Sequence, residues 1–359
     1  MPPPYHGVTI STSLVLANEH LRSRFDVHHV DTSDDRNTSN TGRWDVTNVA
    51  VGLRGALQLL RLMRGPAGVV YLPLSANVPA LLRDSLYVHL AATRGWAVTG
   101  HMRGSDFPHV FKRAPRLARE WIRLTLSRLD SVAVMGESLR WIFAGLIKPE
   151  RIAVIWNGTP DLAHDGVGRD RHTGLFLSNL RRRKGVVEAL EAALIVVREH
   201  PSARFVFAGA WESPELEQEL RERASAADGR IVFHPVVTGE AHRELLASVG
   251  FLLFPPVMPE GHPRVVIEAL GAGLPVIATD RGAIAETVVD GESGFVLADP
   301  DPAEMAGRML ALLNDEVAWE RMSAAARARY LERYTVDVAD RRLADWLDEV
   351  ARERGGARD

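Results

Sequence analysis

The chain contains no cysteine, which removes disulfides, thiolate zinc sites and cysteine nucleophiles together. A reducing cytoplasm is the compartment that fits this most simply. Lysine is nearly absent too: Lys112, Lys148 and Lys184 are the only three among 43 basic residues, a bias of coding before one of chemistry. No run approaches the ~18 apolar residues needed to cross a bilayer, and Pro2, Pro3 and Pro4 behind Met1 do not follow the basic-then-apolar order of a secretion signal. A soluble protein is expected. There is no tandem repeat, no low-complexity tract beyond the prolines, and no Gly-x-Ser-x-Gly to anchor a hydrolase elbow. Charge of one sign is lacking as well, with 43 basic against 46 acidic residues and a net charge of −3, so no global field favours nucleic acid or an anionic membrane.

What is present is 359 residues, 46% hydrophobic and 25% charged, enough for about two domains with their own cores. Short β-branched runs alternate with longer helical patterns, the signature of parallel sheets built from βα units. In the first half the strand candidates are 25–32, 68–75, 96–103, 131–138 and 152–158. In the second they are 173–180, 203–211, 231–237, 248–256, 274–279 and 294–298. Asn157-Gly158-Thr159-Pro160-Asp161 and the polar stretch to His172 read as a linker. The boundaries are therefore 1–160, with a closing helix over 335–359 added to it, and 161–334. That helix carries an apolar stripe of Val338, Leu343, Trp346, Leu347 and Val350, which requires cover. The opening 2–7 reads as a strand-to-helix loop with no strand before it, so a first N-terminal strand is expected to be missing.

The most informative stretch runs from Pro259 through Glu260, Gly261, His262, Pro263 and Arg264 to Glu268 and on to Thr279. It reads as strand end, glycine turn, proline opening a helix, glycine stop and buried strand. Gly261 and His262 stand where backbone amides and the helix dipole can hold an anion such as a diphosphate. Glu260 lies in the loop and Glu268 about two turns along the helix, a spacing that suits two ends of one ligand. Alone, two such glutamates would read as a solvated helix face; the glycine, proline and strand around them favour a ligand.

Glu260, seven intervening residues and Glu268, followed by Ala269-Leu270-Gly271-Ala272-Gly273-Leu274-Pro275-Val276, resemble the E-x7-E signature of GT4-type retaining glycosyltransferases of the GT-B fold (glycosyl transferases group 1). Thr279 to Glu286 and Asp290 to Phe295 resemble that family's next turns. Asn157-Gly158 is similar to its interdomain N-G, Lys184-Gly185 to its K-G, and His101 to its strand-end histidine. The resemblance implies an α/β chain of two Rossmann-like doubly wound domains facing a cleft, with a C-terminal helix crossing back. It implies a hexosyltransferase that takes a nucleotide-diphosphate sugar as substrate, transfers with retention, and needs neither cofactor nor metal. Catalysis would fall to Glu260, His101 and Lys184. Donor binding would fall to Glu268 on the ribose, to the Gly261 and His262 amides, and to Arg183, Asn179 and the loop at Gly7.

Two positions depart from the family pattern. Asn179 stands where a phosphate-binding arginine is usual, and an amide cannot replace that charge; either Arg181, Arg182, Arg183 or Arg103 takes its place or the site is weaker for diphosphate. His6 replaces the first glycine of the usual opening pair. A non-catalytic nucleotide-sugar-binding or scaffold protein is the alternative these departures favour. A GT-B phosphorylase would need a pyridoxal lysine, for which Lys184 is a poor candidate. The acceptor is left open among glycan, lipid-linked and small-molecule hydroxyls; nucleic acid is not expected. Arg113, Arg116, Arg119, Arg123 and Arg128, interleaved with Trp121, Ile122 and Leu126, read either as a solvated face or as a peripheral contact of a 110–129 helix with the inner face of a membrane. The histidines outside the motifs show no metal-ligand spacing.

Overall fold

A computed structural model describes residues 7–32, 46–75, 77–163 and 168–356. Two compact units divide the chain, one of 1–157 with 339–359 and one of 158–338. Of the expected opening loop 2–7, residues 2–6 lie outside the described residues, and Gly7 begins α1 (Gly7–Ala17) instead. α1 ends at Ala17, and the Asn18 side chain accepts from the Leu21 amide at 2.9 Å and so starts α2 (Glu19–Arg22), the usual action of an N-cap asparagine.

The first unit continues with α3 (Val46–Leu62), β1 (Val69–Leu74), α4 (Val78–Thr93), β2 (Ala97–Met102), α5 (Phe107–Arg113), α6 (Arg116–Ser127), β3 (Ser131–Val134) and β4 (Ile152–Val154). The strands form a parallel sheet in simple order β1-β2-β3-β4. The strand expected over 25–32 joins no ladder among the described residues. Its alternation is real, with Phe25 and Val27 half-buried in the core and Asp26 and His28 exposed, but alternation decides which side chains face inward, not whether the backbone is paired. The expected 110–129 helix is two helices. Ala114 precedes Pro115, and its φ of −63° with ψ of 145° is the extended conformation that proline imposes on its neighbour.

The second unit contains β5 (Asp170–Leu177), α7 (Val186–Glu199), β6 (Arg204–Ala208), α8 (Pro214–Ala224), β7 (Ile231–His234), α9 (Gly239–Ser248), β8 (Val249–Phe254), α10 (Arg264–Gly271), β9 (Val276–Thr279), α11 (Ile284–Thr287), β10 (Gly294–Leu297), α12 (Pro302–Asn314) and α13 (Glu316–Arg333). Its six parallel strands run β10-β9-β8-β5-β6-β7, so the winding reverses between β5 and β8. Val249 to Phe254 is wholly buried, as a strand covered on both faces must be. Leu190, Val197, Phe205, Phe251 and Met309 lie in the core beneath.

The last helix, α14 (Val336–Gly356), belongs to the first unit from Ala339 on. Leu343, Trp346, Leu347 and Val350 bury their stripe against Ala97, Ala133 and Ile155, with Leu21 alongside. The Trp346 indole N–H donates to Ser131 Oγ at 3.0 Å, which satisfies the one polar group on that face. Thr159 stays with the second unit, because its amide donates to the Tyr334 carbonyl at 3.0 Å and Tyr330 Oη donates to its own carbonyl at 2.8 Å. No helix among the described residues is long and apolar enough to cross a membrane.

Candidate active site

In an open parallel sheet, ligands bind beyond the carboxyl ends of the strands, where the winding reverses. The second unit places its chemistry there. β5 leads through Ser178, Asn179, Leu180 and Arg181 into a tight turn over Arg182–Lys184, and Gly185 then opens α7. Gly185 has φ +78°, and a Cβ on it would lie 1.8 Å from the Pro255 carbonyl oxygen, so only glycine fits. The approach is locked from the other side by the Val257 and Met258 amides, which donate to the Arg183 carbonyl at 3.1 and 3.3 Å. The exits of β5 and β8 are thus tied together by backbone.

Across this junction Lys184 Nζ donates to Glu260 Oε1 at 2.6 Å, with the two side chains 23% and 11% exposed. The Glu260 loop is itself seated on the next turn. Ala283 N donates to the Gly261 carbonyl at 2.9 Å, and at Gly282, φ +66°, an added Cβ would strike the Glu260 oxygen at 2.1 Å. Pro263 is the N-cap of α10 and so precedes its first residue. The His262 ring is no open ligand: it is 4% exposed, shares a 2.9 Å hydrogen bond between Nε2 and Thr287 Oγ1, and meets Tyr334 edge to face. Burial, with Arg264 adding to it, pushes its imidazole down to about 3. What His262 offers a ligand is its backbone.

Glu268 is held by groups the sequence reading did not single out. His242 Nε2 on α9 lies 3.6 Å from Glu268 Oε2, and Arg264 Nε lies 3.9 Å from Oε1. Arg264 was legible as an i,i+4 partner on one helix; His242, 26 positions earlier, was not. The replacement for the missing arginine narrows. Arg182 is taken by an ion pair with Glu219, and Arg103 lies in the first unit, where it donates to Tyr71 Oη at 2.9 Å and Asn157 Oδ1 at 3.3 Å. Arg181 and Arg183 are exposed and without an ion-pair partner among the described residues. Asn179 is exposed too.

His101 belongs to the first unit and is 1% exposed. Its Nδ1 lies 2.9 Å from Tyr71 Oη and its Nε2 3.2 Å from Met135 Sδ, with Trp346 edge-on at 6.3 Å. A guanidinium can only donate, so Tyr71 Oη accepts from Arg103 and shares its other hydrogen bond with Nδ1. Burial and the nearby Arg103 hold the imidazole well below its usual range, against a smaller opposing pull from the Ile155 backbone. Tyr71 was hidden in sequence: it sits in β1, opposite Thr99 and two places out of register with His101. Among the described residues no three His, Asp or Glu side chains converge as metal ligands.

Residues 171–315 match the family model described as Glycosyl transferases group 1. The chain is 29% identical over 218 residues to a glycogen synthase of Mycobacterium tuberculosis, covering 58% of this chain and 50% of the relative. It is 29% identical over 196 residues to a phosphatidyl-myo-inositol mannosyltransferase of Mycobacterium leprae, covering 54% and 50%. The chain therefore spans about half the length of the curated relatives it matches. Among solved structures, Anabaena Alr3699/HepE in complex with UDP superposes with a TM-score of 0.69 at 17% identity, over 84% of this chain and 82% of that one. This is the GT-B fold. The match to the group 1 family lies in the second unit, the one that carries Lys184, Glu260 and Glu268.

Proposed function

We propose that this chain is a metal-independent, retaining hexosyltransferase that uses a nucleoside-diphosphate sugar and an acceptor hydroxyl. The observation that carries the reading is the Lys184–Glu260 pair astride the β5/β8 reversal, with Glu268 just over one turn into α10, the helix that the Glu260 loop introduces. The matched family and the UDP complex of the HepE structure support a donor of this class.

Each residue then has a task suited to its chemistry. Glu268 accepts from the ribose hydroxyls, steadied by His242 and Arg264. The Gly261 and His262 amides, ahead of α10, face the phosphates, and Lys184 balances the charge that builds on the leaving diphosphate. Arg183 takes the part of the absent arginine at Asn179. Glu260 holds the sugar. The bond from the anomeric carbon to the diphosphate oxygen breaks with its electron pair going to that oxygen; the acceptor oxygen bonds to the same carbon from the same face, and its proton passes to the leaving oxygen. His101, kept neutral by its burial, keeps the part that the family resemblance implies for it, facing the sugar.

The test is calorimetry with UDP, GDP and ADP and their hexose derivatives, on the native chain and Glu268→Ala. One nucleotide series is expected to bind, and the variant to lose about 5- to 150-fold in affinity, the equivalent of roughly 1–3 kcal/mol from an unpaired buried polar group. Transfer should persist in EDTA and give the donor's anomeric configuration by NMR. Binding without transfer or donor hydrolysis would favour the scaffold reading, and absence of binding to every nucleotide would overturn both.

A further inference from the structure

The outer face of α6 carries an exposed apolar stripe. Leu117, Trp121 and Leu124 recur at i, i+4 and i+7, on one stripe of a helix, and are 87%, 43% and 44% exposed. The opposite stripe, Ile122, Thr125 and Leu126, is the one that is buried. Packing therefore does not account for Leu117 and Leu124. Trp121 is fixed in place, its indole N–H donating to Ser85 Oγ at 2.7 Å and its ring 4.9 Å from His89.

Cations surround the stripe. Residues 107–128 carry six lysines and arginines against one acid, Glu120, in a chain whose net charge is negative. Glu120 is paired with Arg123 at 2.6 Å. Lys112, Arg113, Arg116, Arg119 and Arg128 have no ion-pair partner among the described residues. A second copy would bring like charges together on this face, whereas an anionic bilayer offers both apolar depth and counter-charge.

We propose that α6, with the end of α5, is a docking face for an anionic lipid bilayer, with Leu117 and Leu124 inserted and Arg113 and Arg116 at the phosphates. α5 follows the strand that carries His101 across residues 103–106, so the chain reaches the docked face from the carboxyl edge of the first sheet. The face would keep an acceptor displayed in the membrane within reach of that edge. The surface stands apart from the donor reading, and either can fail without the other.

The experiment is vesicle flotation of the full chain with phosphatidylcholine alone or with roughly 30% phosphatidylglycerol, at about 0.05 and 0.5 M salt. Expected is at least about tenfold more binding to the anionic vesicles, lost at high salt. The double variant Leu117→Glu/Leu124→Glu should lose that binding, and Arg113→Glu/Arg116→Glu should weaken it about 25-fold, taking about fivefold per basic residue. Both pairs are exposed, so unchanged melting temperatures confirm folding. Equal binding to neutral and anionic vesicles, no binding to either, or variants that bind as the native chain does would overturn the proposal. A dimer in sedimentation that Leu117→Glu disperses, without vesicle binding, would assign the stripe to a second copy instead.

Discussion

The two units hold their polar groups in opposite ways. In the second, Lys184 and Glu260 emerge from turns whose shape is fixed by backbone contact, at Gly185 and Gly282, and they keep partial exposure at a sheet edge. In the first, His101 is enclosed by side chains, with Tyr71, Met135 and Trp346 around it and Arg103 behind Tyr71. One arrangement depends on absent Cβ atoms, the other on a hydrogen-bond chain inside a core. The contrast teaches that a motif of glycines marks where backbone must pass closely, whereas a buried histidine depends on partners scattered over several strands.

The largest effect expected from testing this contrast is on turnover. Lys184→Ala should lower the rate by about 100- to 1,000-fold, the usual loss for one electrostatic group on a developing charge, while leaving the melting temperature of the His101 unit unchanged. A rate within threefold of native would remove Lys184 from the chemistry.

Next in size is the backbone lock. Gly185→Ala must place a Cβ against the Pro255 carbonyl in a left-handed conformation and should cost about 3 kcal/mol or more. Urea unfolding reads this directly; a loss below about 1 kcal/mol would mean that the β5 and β8 exits can part freely.

The smallest effect compares the two buried histidines by pH. His262 has a folded value near 3 against the ordinary 6.5, so between these values the unfolded chain binds the proton and the folded one does not. Stability is therefore whole above about 6.5 and falls with acidification, by at most about 1.4 kcal/mol per pH unit per histidine. His101 shifts the same way. His262→Gln should flatten this slope in melts of the second unit between pH 6 and 4, and His101→Gln in the first. An unchanged slope in either variant would show that the ring is protonated without unfolding.

Much of the fold was legible, because buried parallel strands are short apolar runs and ten of those expected lie at or within a few residues of the observed strands. The eleventh, 25–32, failed because alternation reports burial rather than pairing. The break at Pro115 follows from local chemistry, which overrides the continuous apolar pattern of 110–129. At the candidate site, Glu260 and Lys184 could be read because each neighbours a glycine or proline that sets its backbone, and Glu268 because it follows Glu260 by eight positions on the helix which that turn introduces. Tyr71 and His242 could not, since nothing in their own neighbourhoods marks them.

By itself the sequence determined the local matters: which runs become strands, where glycine must turn the chain, and which carboxylates and lysine stand at strand ends. Only the tertiary structure decided that Lys184 and Glu260 meet across the β5/β8 reversal, that the His262 ring turns inward to Thr287, and that Tyr71 meets Nδ1 of His101. The reason is physical. Backbone conformation is chosen by neighbours along the chain, whereas a hydrogen bond between residues 76 apart exists only after strands between them have been ordered in a sheet.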